Sequence, residues 1–453
     1  IRTYILEKNP DIAAVFLTTD PNALFDPDTG IYMEGPNASE ENPHHGANYW
    51  LDKEIPIYVE LIEKKQNTPA FAKHAGLKIF GNYSRVHPKK SVAITFREKY
   101  GDNRLNYPLF PDYPELTVFK NFILRNFGNS FGNDYVRDRL MSSISDGLGV
   151  DYQRGRYAIV YYNGQYFGIH DLREKSNEYY FETHYGINHK NINLLKADNS
   201  ISAGSADDYV ALTNWLEKHS LHIDSNYTYI ASKIDINNYI NYMQIEMYAN
   251  NRDWPGNNLK KWNSPTHQDL WKWFLYDLDL SLGNGGSNSP SNIFRYTLAE
   301  KEDIWQNNPK FTFLFRSLME NESFKKAFIN RMTTLMQTYL ESSRFIFQME
   351  SMMNNIRTEI PRDQKRWHLS ESKITSNLEI IKNFIINRPT TIIQNMQEYF
   401  KFKDTSSVTL DIKGNGTILV HNLPLKQSSA TITFFEDLPI VITAVSEGQD
   451  KWS

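Results

Sequence analysis

The residues best suited to chemistry lie in a polar stretch between two apolar runs. Within it, Asp253 is followed, after four intervening residues, by Asn258. Protein kinases use this spacing in their catalytic loop, where the Asp accepts the proton of the substrate hydroxyl and the Asn holds a metal ion. Pro255 and Gly256 disfavour a regular helix, so the stretch is predicted to be a loop.

Two further carboxylates, Asp277 and Asp279, follow residues 270–275, which are predicted to form a buried strand. Kinases carry a metal-binding Asp in such a position, downstream of the catalytic loop. Two carboxylates and an amide that converge on one Mg²⁺ would fit the oxygen preference of that ion, so Asn258, Asp277 and Asp279 are predicted to hold it. Asp and Asn beside Pro-Gly are also ordinary turn formers, and a plain turn is the alternative.

A candidate phosphate contact lies nearer the start of the chain. Residues 76–80 and 92–96 are predicted strands, and the turn between them ends in a pair of lysines, of which Lys90 begins the second strand. A Lys in this position is suited to contact a phosphate. The turn matches neither a Walker A loop nor the glycine-rich loop of kinases, so solvated lysines at a sheet edge are the alternative.

Composition limits the classes of function. The chain has 453 residues, 40% of them hydrophobic and 23% charged, which is typical of a soluble globular protein with two or three domains. A net charge of -4 without a basic stripe argues against a nucleic-acid partner. The absence of Cys excludes disulfides and Cys-based zinc sites, and no apolar run approaches the ~20 residues of a transmembrane helix.

The pattern of the elements indicates an α+β fold. Residues 11–19 and 57–61 are predicted strands, and residues 135–148 are predicted to be a helix. Residues 156–162 and 166–172 flank an Asn-Gly pair, which is the strongest short-range signal for a β-hairpin.

The second half of the pattern is mainly helical. Residues 235–248 are predicted to be the helix that leads into the candidate loop, and residues 311–400 are predicted to be helices punctuated by Pro309, Pro361 and Pro389. From residue 404 to residue 453, short strands with turn signals predict a separate small β module.

Taken together, these segments resemble the CotH kinase family of atypical protein kinases, named for a spore-coat protein, and most closely its versions in secreted multi-domain proteins of Bacteroides-like bacteria. The segments that carry the resemblance occur in family order: 17–22 with 29–32, 81–96, 124–128 with 137–138, 151–153, 163–169 with 172–175, 251–258 and 271–283.

The resemblance implies a two-lobed, kinase-like fold that binds ATP and Mg²⁺ and phosphorylates Ser or Thr of a protein substrate. On this basis residues 1–403 form the kinase-like domain, with a β-rich N-terminal lobe to about residue 172 and a helical C-terminal lobe over 175–403. The resemblance also implies a secreted or envelope-associated protein. The chain starts at Ile1 without Met or a signal peptide, which we interpret as a processed or truncated form.

The resemblance also implies roles for single residues. Asp253 would be the catalytic Asp and Asn258 a metal ligand, with Asp277 the metal-binding Asp and Asp279 the alternative ligand. Lys90 would contact the phosphates.

In the same comparison, Arg85 would assist Lys90, and Glu174 would lie where the hinge meets the adenine. One departure is Ser130, which stands where the family often has Asp. This predicts weaker nucleotide binding, and a purely structural loop is the alternative.

Two other functions stay open. One is a non-catalytic, kinase-like binding or scaffold module of the bacterial surface, which the scarcity of ATP outside cells favours. The other is a carbohydrate-active protein or adhesin, for which the many aromatic residues and paired acids are suited.

Overall fold

A computed structural model describes residues 11–302, 304–413 and 415–446. Its mixture of helices and strands confirms the α+β class. The strands are β1 (Ala13–Thr18), β2 (Ile55–Ile62), β3 (Pro69–Phe80), β4 (Ser91–Thr95), β5 (Leu105–Asn106), β6 (Val118–Phe119), β7 (Asn121–Arg125), β8 (Asp151–Tyr152), β9 (Gly155–Tyr162), β10 (Gln165–Arg173), β11 (Asn193–Lys196), β12 (Ile201–Ala203), β13 (Lys260–Asn263), β14 (Lys272–Leu275), β15 (Thr405–Asp411), β16 (Gly416–Val420), β17 (Leu423–Pro424), β18 (Ser429–Phe435) and β19 (Ile442–Ser446).

The helices follow the same order along the chain. They are α1 (Pro21–Phe25), α2 (Arg137–Ser143), α3 (Glu178–Tyr185), α4 (Asp207–Leu216), α5 (Asp224–Ala231), α6 (Ile236–Ala249), α7 (Ile293–Thr297), α8 (Pro309–Leu318), α9 (Glu322–Met336), α10 (Ser342–Ile356), α11 (Ile360–Trp367) and α12 (Glu371–Phe400).

The chain divides into two compact units that interleave in sequence. The first unit comprises residues 1–139, 153–192 and 350–378, and the second comprises 140–152, 193–349 and 379–453. The strand-rich unit therefore includes α11, which lies far along the chain in the region predicted to be helical. The domain boundaries proposed from the sequence stay a prediction, and residues 1–10 and 447–453 of those domains lie outside the described residues.

A closed barrel dominates the first unit, with the strand order β1-β2-β3-β4-β7-β10-β9. β1 and β9 pair in parallel, whereas the other neighbouring strands pair antiparallel. In β2, Ile57, Val59 and Leu61 alternate with more polar residues and are buried in the core, as their period of two predicts. The barrel confirms the strands predicted between residues 11 and 96.

The predicted β-hairpin is also confirmed, as β9 and β10. Asn163 and Gly164 have φ values of 48° and 80°, the left-handed conformations that a tight hairpin turn needs at both central positions. Gln165 pairs with Tyr162 directly across the turn. Local turn chemistry alone therefore sets this register.

The second unit contains a five-stranded sheet in the order β12-β11-β13-β14-β8. The predicted strand at residues 270–275 is confirmed as β14, which lies between β13 and β8. α6 contacts β14 through Asn238, whose Oδ1 accepts a hydrogen bond from the backbone N–H of Trp273 at 2.6 Å. The sheet therefore holds the helix before the candidate loop against the strand before Asp277.

The helix predicted at residues 135–148 is much shorter in the structure. α2 ends at Ser143, and turns follow. The hydroxyl of Ser143 donates to the carbonyl oxygen of Leu140 at 2.9 Å, and Gly147 and Gly149 adopt positive φ. Serine hydroxyls that bond to nearby carbonyls compete with the helix, so periodic apolar residues alone overestimated its length.

Pro389 lies inside α12 instead of ending a helix. A proline removes the N–H that would bond to the carbonyl oxygen four residues earlier, here that of Ile385. The hydroxyl of Ser342 donates a hydrogen bond to that oxygen at 3.0 Å. The helix continues because a group from elsewhere in the second unit satisfies the carbonyl that Pro389 leaves without a helical partner.

The predicted C-terminal strands form a two-stranded sheet, β15-β18, and a three-stranded sheet, β17-β16-β19. They share a small core around Ile418, Val420, Leu425 and Ile432. Within the described ranges, no helix is both long enough and apolar enough to cross a membrane.

Candidate active site

α6 delivers the chain to the candidate loop. Asp235 caps its first turn by accepting a hydrogen bond from the backbone N–H of Asn238 at 3.0 Å. At the other end, Asn250 has a φ of 51°, the left-handed conformation that commonly ends helices. The predicted helix at residues 235–248 is therefore confirmed, and the loop begins directly after it.

Arg388 fixes the end of α6. Its guanidinium is buried and donates to the carbonyl oxygens of Met247 at 2.8 Å and Tyr248 at 2.9 Å. It also donates to Ser289 O at 2.8 Å and Ser291 O at 2.9 Å. A cation at this end satisfies carbonyl groups that have no partner within the helix. Sequence analysis missed Arg388, because a single Arg on a long helix carries no local signal.

Asp253 and Asn258 come together in the loop. Asp253 Oδ2 accepts a hydrogen bond from Nδ2 of Asn257 at 2.7 Å and from Nδ2 of Asn258 at 3.0 Å. The same Nδ2 of Asn258 donates to the backbone oxygen of Asp277 at 3.1 Å. Asn258 therefore links the two segments that the sequence singled out. Its Oδ1 has no hydrogen-bond donor among the described residues.

Asp277 and Asp279 differ in their surroundings. Asp277 is half-buried and has a φ of 59°, an uncommon left-handed conformation for a residue other than glycine. Asp279 is only 1% exposed, and its backbone oxygen accepts a hydrogen bond from Asn284 Nδ2 at 2.8 Å. The greater exposure of Asp277 makes it the better placed of the two carboxylates to bind an ion that arrives from solvent.

The electrostatics of the loop favour a bound cation. Burial raises the pKa of Asp253, the nearby Asp277 carboxylate raises it further, and the hydrogen bonds from Asn257 and Asn258 oppose the shift. Among the described residues, no Lys, Arg or His forms an ion pair with Asp253. A cation at this point would offset the repulsion between the two carboxylates.

The donor set suits Mg²⁺ better than a transition metal. No cluster of three or more His, Asp or Glu that could hold a metal ion occurs among the residues that the structure describes. Asp253, Asp277 and the Oδ1 of Asn258 nevertheless provide oxygen donors in one place. Mg²⁺ is usually bound by one or two carboxylates, with water and substrate phosphates as its other ligands, so these three residues fit it.

In the first unit, Lys90 and Arg85 lie together. Lys90 is 4% exposed, and its Nζ donates to the backbone oxygens of Arg85 at 2.6 Å and His87 at 3.2 Å. The ammonium also lies 3.9 Å from the ring centroid of Tyr49, and burial lowers the pKa of Lys90 to about 8. Arg85 donates to Gly81 O at 2.6 Å. Both cations hold the turn together, and their contact with phosphate stays a prediction.

Glu174 is likewise engaged. It is 3% exposed, and its carboxylate lies 2.6 Å from His184 Nε2 and accepts the backbone N–H of Arg154 at 2.9 Å. These contacts fix the exit of the β-hairpin. The structure does not bring Glu174 into contact with Lys90 or Arg85 within the first unit, and its place beside an adenine stays a prediction.

Sequence analysis missed a basic cluster beside β3. The pKa of Lys78 is lowered by burial and by the nearby cations Arg85 and Arg97, and the pKa of Lys175 is lowered by burial and by Lys78. Lys175 Nζ lies 5.8 Å from the ring centroid of Phe80 and donates to no acceptor among the described residues. Lys78 also forms an ion pair with Asp52, and Arg97 forms one with Glu54, so acidic side chains already neutralise part of this cluster.

The departure at Ser130 has a structural counterpart four residues later. Asp134 Oδ1 accepts the backbone N–H groups of Val136 at 3.0 Å and Arg137 at 2.9 Å, which caps α2. Its Oδ2 lies 3.4 Å from Arg137 Nη2, and both side chains are buried. This segment therefore contains an Asp that caps α2, four residues after the position at which the family often has one.

Comparison with protein families gives a match. A family model described as CotH kinase protein matches residues 77–392, more than half of the chain. The matched range includes Arg85, Lys90, Asp253, Asn258 and Asp277. A search of curated proteins finds no match.

Proposed function

The chain belongs to the CotH kinase family, and we propose that it is an ATP- and Mg²⁺-dependent protein kinase with a two-lobed, kinase-like fold. In this proposal it transfers the γ-phosphoryl group of ATP to Ser or Thr of a protein substrate. One observation carries the proposal: Asn258 donates hydrogen bonds to the Asp253 carboxylate and to the backbone oxygen of Asp277, and burial together with the nearby Asp277 carboxylate raises the pKa of Asp253. Phosphoryl transfer requires such positioned carboxylates and little covalent chemistry from the protein.

Asp253 is the catalytic base in this scheme. Its carboxylate is half-exposed, and the amides of Asn257 and Asn258 hold one of its oxygens by hydrogen bonds. That leaves its other oxygen to orient the acceptor hydroxyl and receive its proton. A raised pKa makes the carboxylate a stronger base than an ordinary Asp.

Asp277 and the Oδ1 of Asn258 would hold Mg²⁺, and Asp279 is the alternative ligand. The ion, when bound, would neutralise charge on the phosphates. The backbone hydrogen bond from Arg252 N to Leu280 O, at 3.0 Å, ties the candidate loop to the segment that carries both Asp residues. This tie keeps the ligands in a fixed arrangement before any ion arrives.

Cations of the first unit would bind the phosphates. Lys90 and Arg85 are the residues that the family pattern indicates, with Glu174 near the adenine. Lys175 is an additional candidate, because its ammonium donates to no acceptor among the described residues and lies in the basic cluster with Lys78. We also propose a secreted or envelope location, as the family resemblance implies, and a separate small β module over 404–453, as the short strands and turn signals of that segment indicate.

A transfer assay tests the activity. Wild type, Asp253→Ala and Asp208→Ala are incubated with Mg²⁺, dephosphorylated casein and ATP labelled in the γ-phosphate. Asp208 is an exposed Asp on α4 and serves as the control. We expect Asp253→Ala to slow transfer by about 10²–10⁴-fold, since it removes the base, and Asp208→Ala to leave it unchanged. Transfer by Asp253→Ala at the wild-type rate would sink the assignment.

A non-catalytic, kinase-like binding module is the second candidate. It is favoured by the enclosure of Lys90, whose ammonium bonds to two backbone oxygens and lies over the Tyr49 ring instead of being free for a phosphate. This candidate predicts that wild type transfers no label to casein or to itself. It also predicts that a variant substituted at Asp253 binds the same ligands as the wild-type protein.

A further inference from the structure

The second unit contains a cavity of about 150 Å³ that the proposed kinase activity does not use. Its lining mixes aromatic, aliphatic and polar residues, and four buried aromatic side chains come from α4, α6, the candidate loop and β14: Tyr209, Tyr239, Trp254 and Trp273. A cavity of this volume is large enough for one benzene ring. The aromatic part of the lining therefore suits a single aromatic ring.

One wall carries a buried cation. Lys261 on β13 is 2% exposed, its Nζ donates to the backbone oxygen of Lys196 at 3.1 Å, and it lies 4.3 Å from the ring centroid of Tyr209. An ammonium has three donors, and only this one hydrogen bond occupies them among the described residues. No described carboxylate forms an ion pair with Lys261. A buried charge without a counter-ion is costly, so a negatively charged ligand beside Lys261 would be stabilised.

The other charged groups at the cavity do not provide that partner. Asp198 is exposed, and its carboxylate accepts hydrogen bonds from the backbone N–H of Ser200 at 3.0 Å and from its hydroxyl at 2.6 Å. Lys310 also lines the cavity, is exposed and adds a second positive charge. With Lys261 and Lys310 against Asp198, the lining carries a net positive charge. An anion would be attracted to it.

We propose that this cavity binds a single-ring aromatic carboxylate, with its ring between the aromatic walls and its carboxylate on Lys261 Nζ. The ring buries apolar surface against Trp254 and Trp273, and the carboxylate supplies the counter-ion that Lys261 lacks. Size and charge both contribute to specificity. A neutral ring leaves the buried ammonium unpaired, and an aliphatic carboxylate leaves the aromatic walls unfilled.

Binding in this geometry is linked to protonation. Burial lowers the pKa of Lys261 to about 7, and Asp198 opposes that shift from a distance. The other titratable groups that line the cavity are Lys310, Tyr209 and Tyr239, and burial raises the pKa values of both tyrosines. A bound carboxylate raises the pKa of Lys261, so binding is accompanied by proton uptake. Affinity is therefore expected to weaken as the pH rises above 7.

Benzoate is the probe, and benzamide is its neutral counterpart of nearly equal shape. Titration calorimetry at pH 6 and pH 8.5 would compare wild type, Lys261→Met and Lys260→Met. Lys260 is the neighbour of Lys261 on β13, and its ammonium lies over the Tyr276 ring, outside this cavity. It therefore controls for the loss of one positive charge from the same strand.

We expect wild type to bind benzoate at least about tenfold more tightly than benzamide at pH 6, because a charge-assisted hydrogen bond distinguishes the two. Lys261→Met should remove this preference, whereas Lys260→Met should retain it. Thr213→Trp, which fills the cavity from α4, should abolish binding of both ligands. This last variant also tests the site if Lys261→Met fails to fold.

Three results would overturn the proposal. They are no binding of benzoate by wild type at millimolar concentration, equal binding of benzoate and benzamide, and benzoate binding that survives both Lys261→Met and Thr213→Trp. None of these readouts depends on phosphoryl transfer. The cavity and the proposed kinase activity can therefore fail independently.

Discussion

Asp363 in the first unit and Asp253 in the second are both carboxylates with several hydrogen-bond partners, but their surroundings differ in kind. Asp363 is completely buried and accepts bonds from Lys89 Nζ at 3.0 Å, the Tyr135 hydroxyl at 2.9 Å and the backbone N–H of Ile169 at 2.9 Å. Asp253 is half-exposed, and its hydrogen-bond partners among the described residues are amides without charge. One carboxylate has a cation as its partner, and the other has none.

This difference separates a carboxylate whose partners all belong to the fold from one that has room for a ligand. The partners of Asp363 occupy both of its oxygens and exclude water, and Gly168 leaves it room, since a Cβ there would lie 1.9 Å from Asp363 Oδ1. Nothing further can bind to it. Asp253 instead has a second carboxylate nearby and access to solvent, which is the condition for binding a metal ion or a substrate hydroxyl.

The largest effect is predicted for Asp363. Asp363→Ala removes one partner of a buried ion pair and leaves Lys89, Tyr135 and the backbone N–H of Ile169 without their acceptor. We expect the free energy of unfolding to fall by about 3–5 kcal/mol, measured by denaturant unfolding. The loss has its origin in the uncompensated charge of Lys89.

The matched control removes both charges. In the double variant Lys89→Met with Asp363→Ala, the buried ammonium is absent, so the loss should be smaller than the sum of the two single losses. Strictly additive losses would mean that the pair contributes no coupling energy. The contrast between Asp363 and Asp253 would then rest on burial alone.

A smaller effect of opposite sign is predicted for Asp253. Its pKa is raised above the ordinary value of 3.8, so its contribution to stability declines as the pH rises through the raised pKa. Asp253→Asn keeps the hydrogen-bond acceptor and removes this charge. We expect the variant to be at least as stable as wild type at pH 7, by a margin below about 1 kcal/mol, and the margin to disappear near pH 4.

Asp26 provides a control with the reverse sign. Its hydrogen bonds from Thr29 hold its pKa below the ordinary value, so its charge stabilises the fold above that value. Asp26→Asn should therefore lose stability at pH 7 and lose less as the pH falls. If Asp253→Asn followed the pattern of Asp26→Asn instead, Asp253 would be a structural carboxylate like Asp363.

Much of this architecture can be predicted from local sequence. Asn163 and Gly164 determine the hairpin turn, and Asp235 marks the start of α6, because each of these signals acts within a few residues. The pairing of Asp253 with Asn258 also follows from a short spacing within one loop. Their link to Asp277 was predicted as a shared metal site, and the bond from Asn258 to its backbone oxygen is the observed link.

Features that depend on distant residues were not predicted. Arg388 caps α6 from 140 residues away, and the hydroxyl of Ser342 allows Pro389 to lie inside a helix. The partner of Lys89 is Asp363, at a separation of 274 residues. Lys89 and Lys90 are both buried, and the difference between their partners, Asp363 for Lys89 and two backbone oxygens for Lys90, depends on packing that short motifs do not encode.

Thermal melting with ATP tests the central claim most directly. Midpoints are compared for wild type and Asp277→Ala, in Mg²⁺ alone and in Mg²⁺ with ATP. A ligand that binds only the native state raises the free energy of unfolding, by about 2.7 kcal/mol at one hundred times its dissociation constant. We predict a rise in midpoint for wild type that needs both ATP and Mg²⁺ and that Asp277→Ala loses. No rise at millimolar ATP, or an equal rise in the variant, would contradict a nucleotide and metal site at Asp253, Asn258 and Asp277.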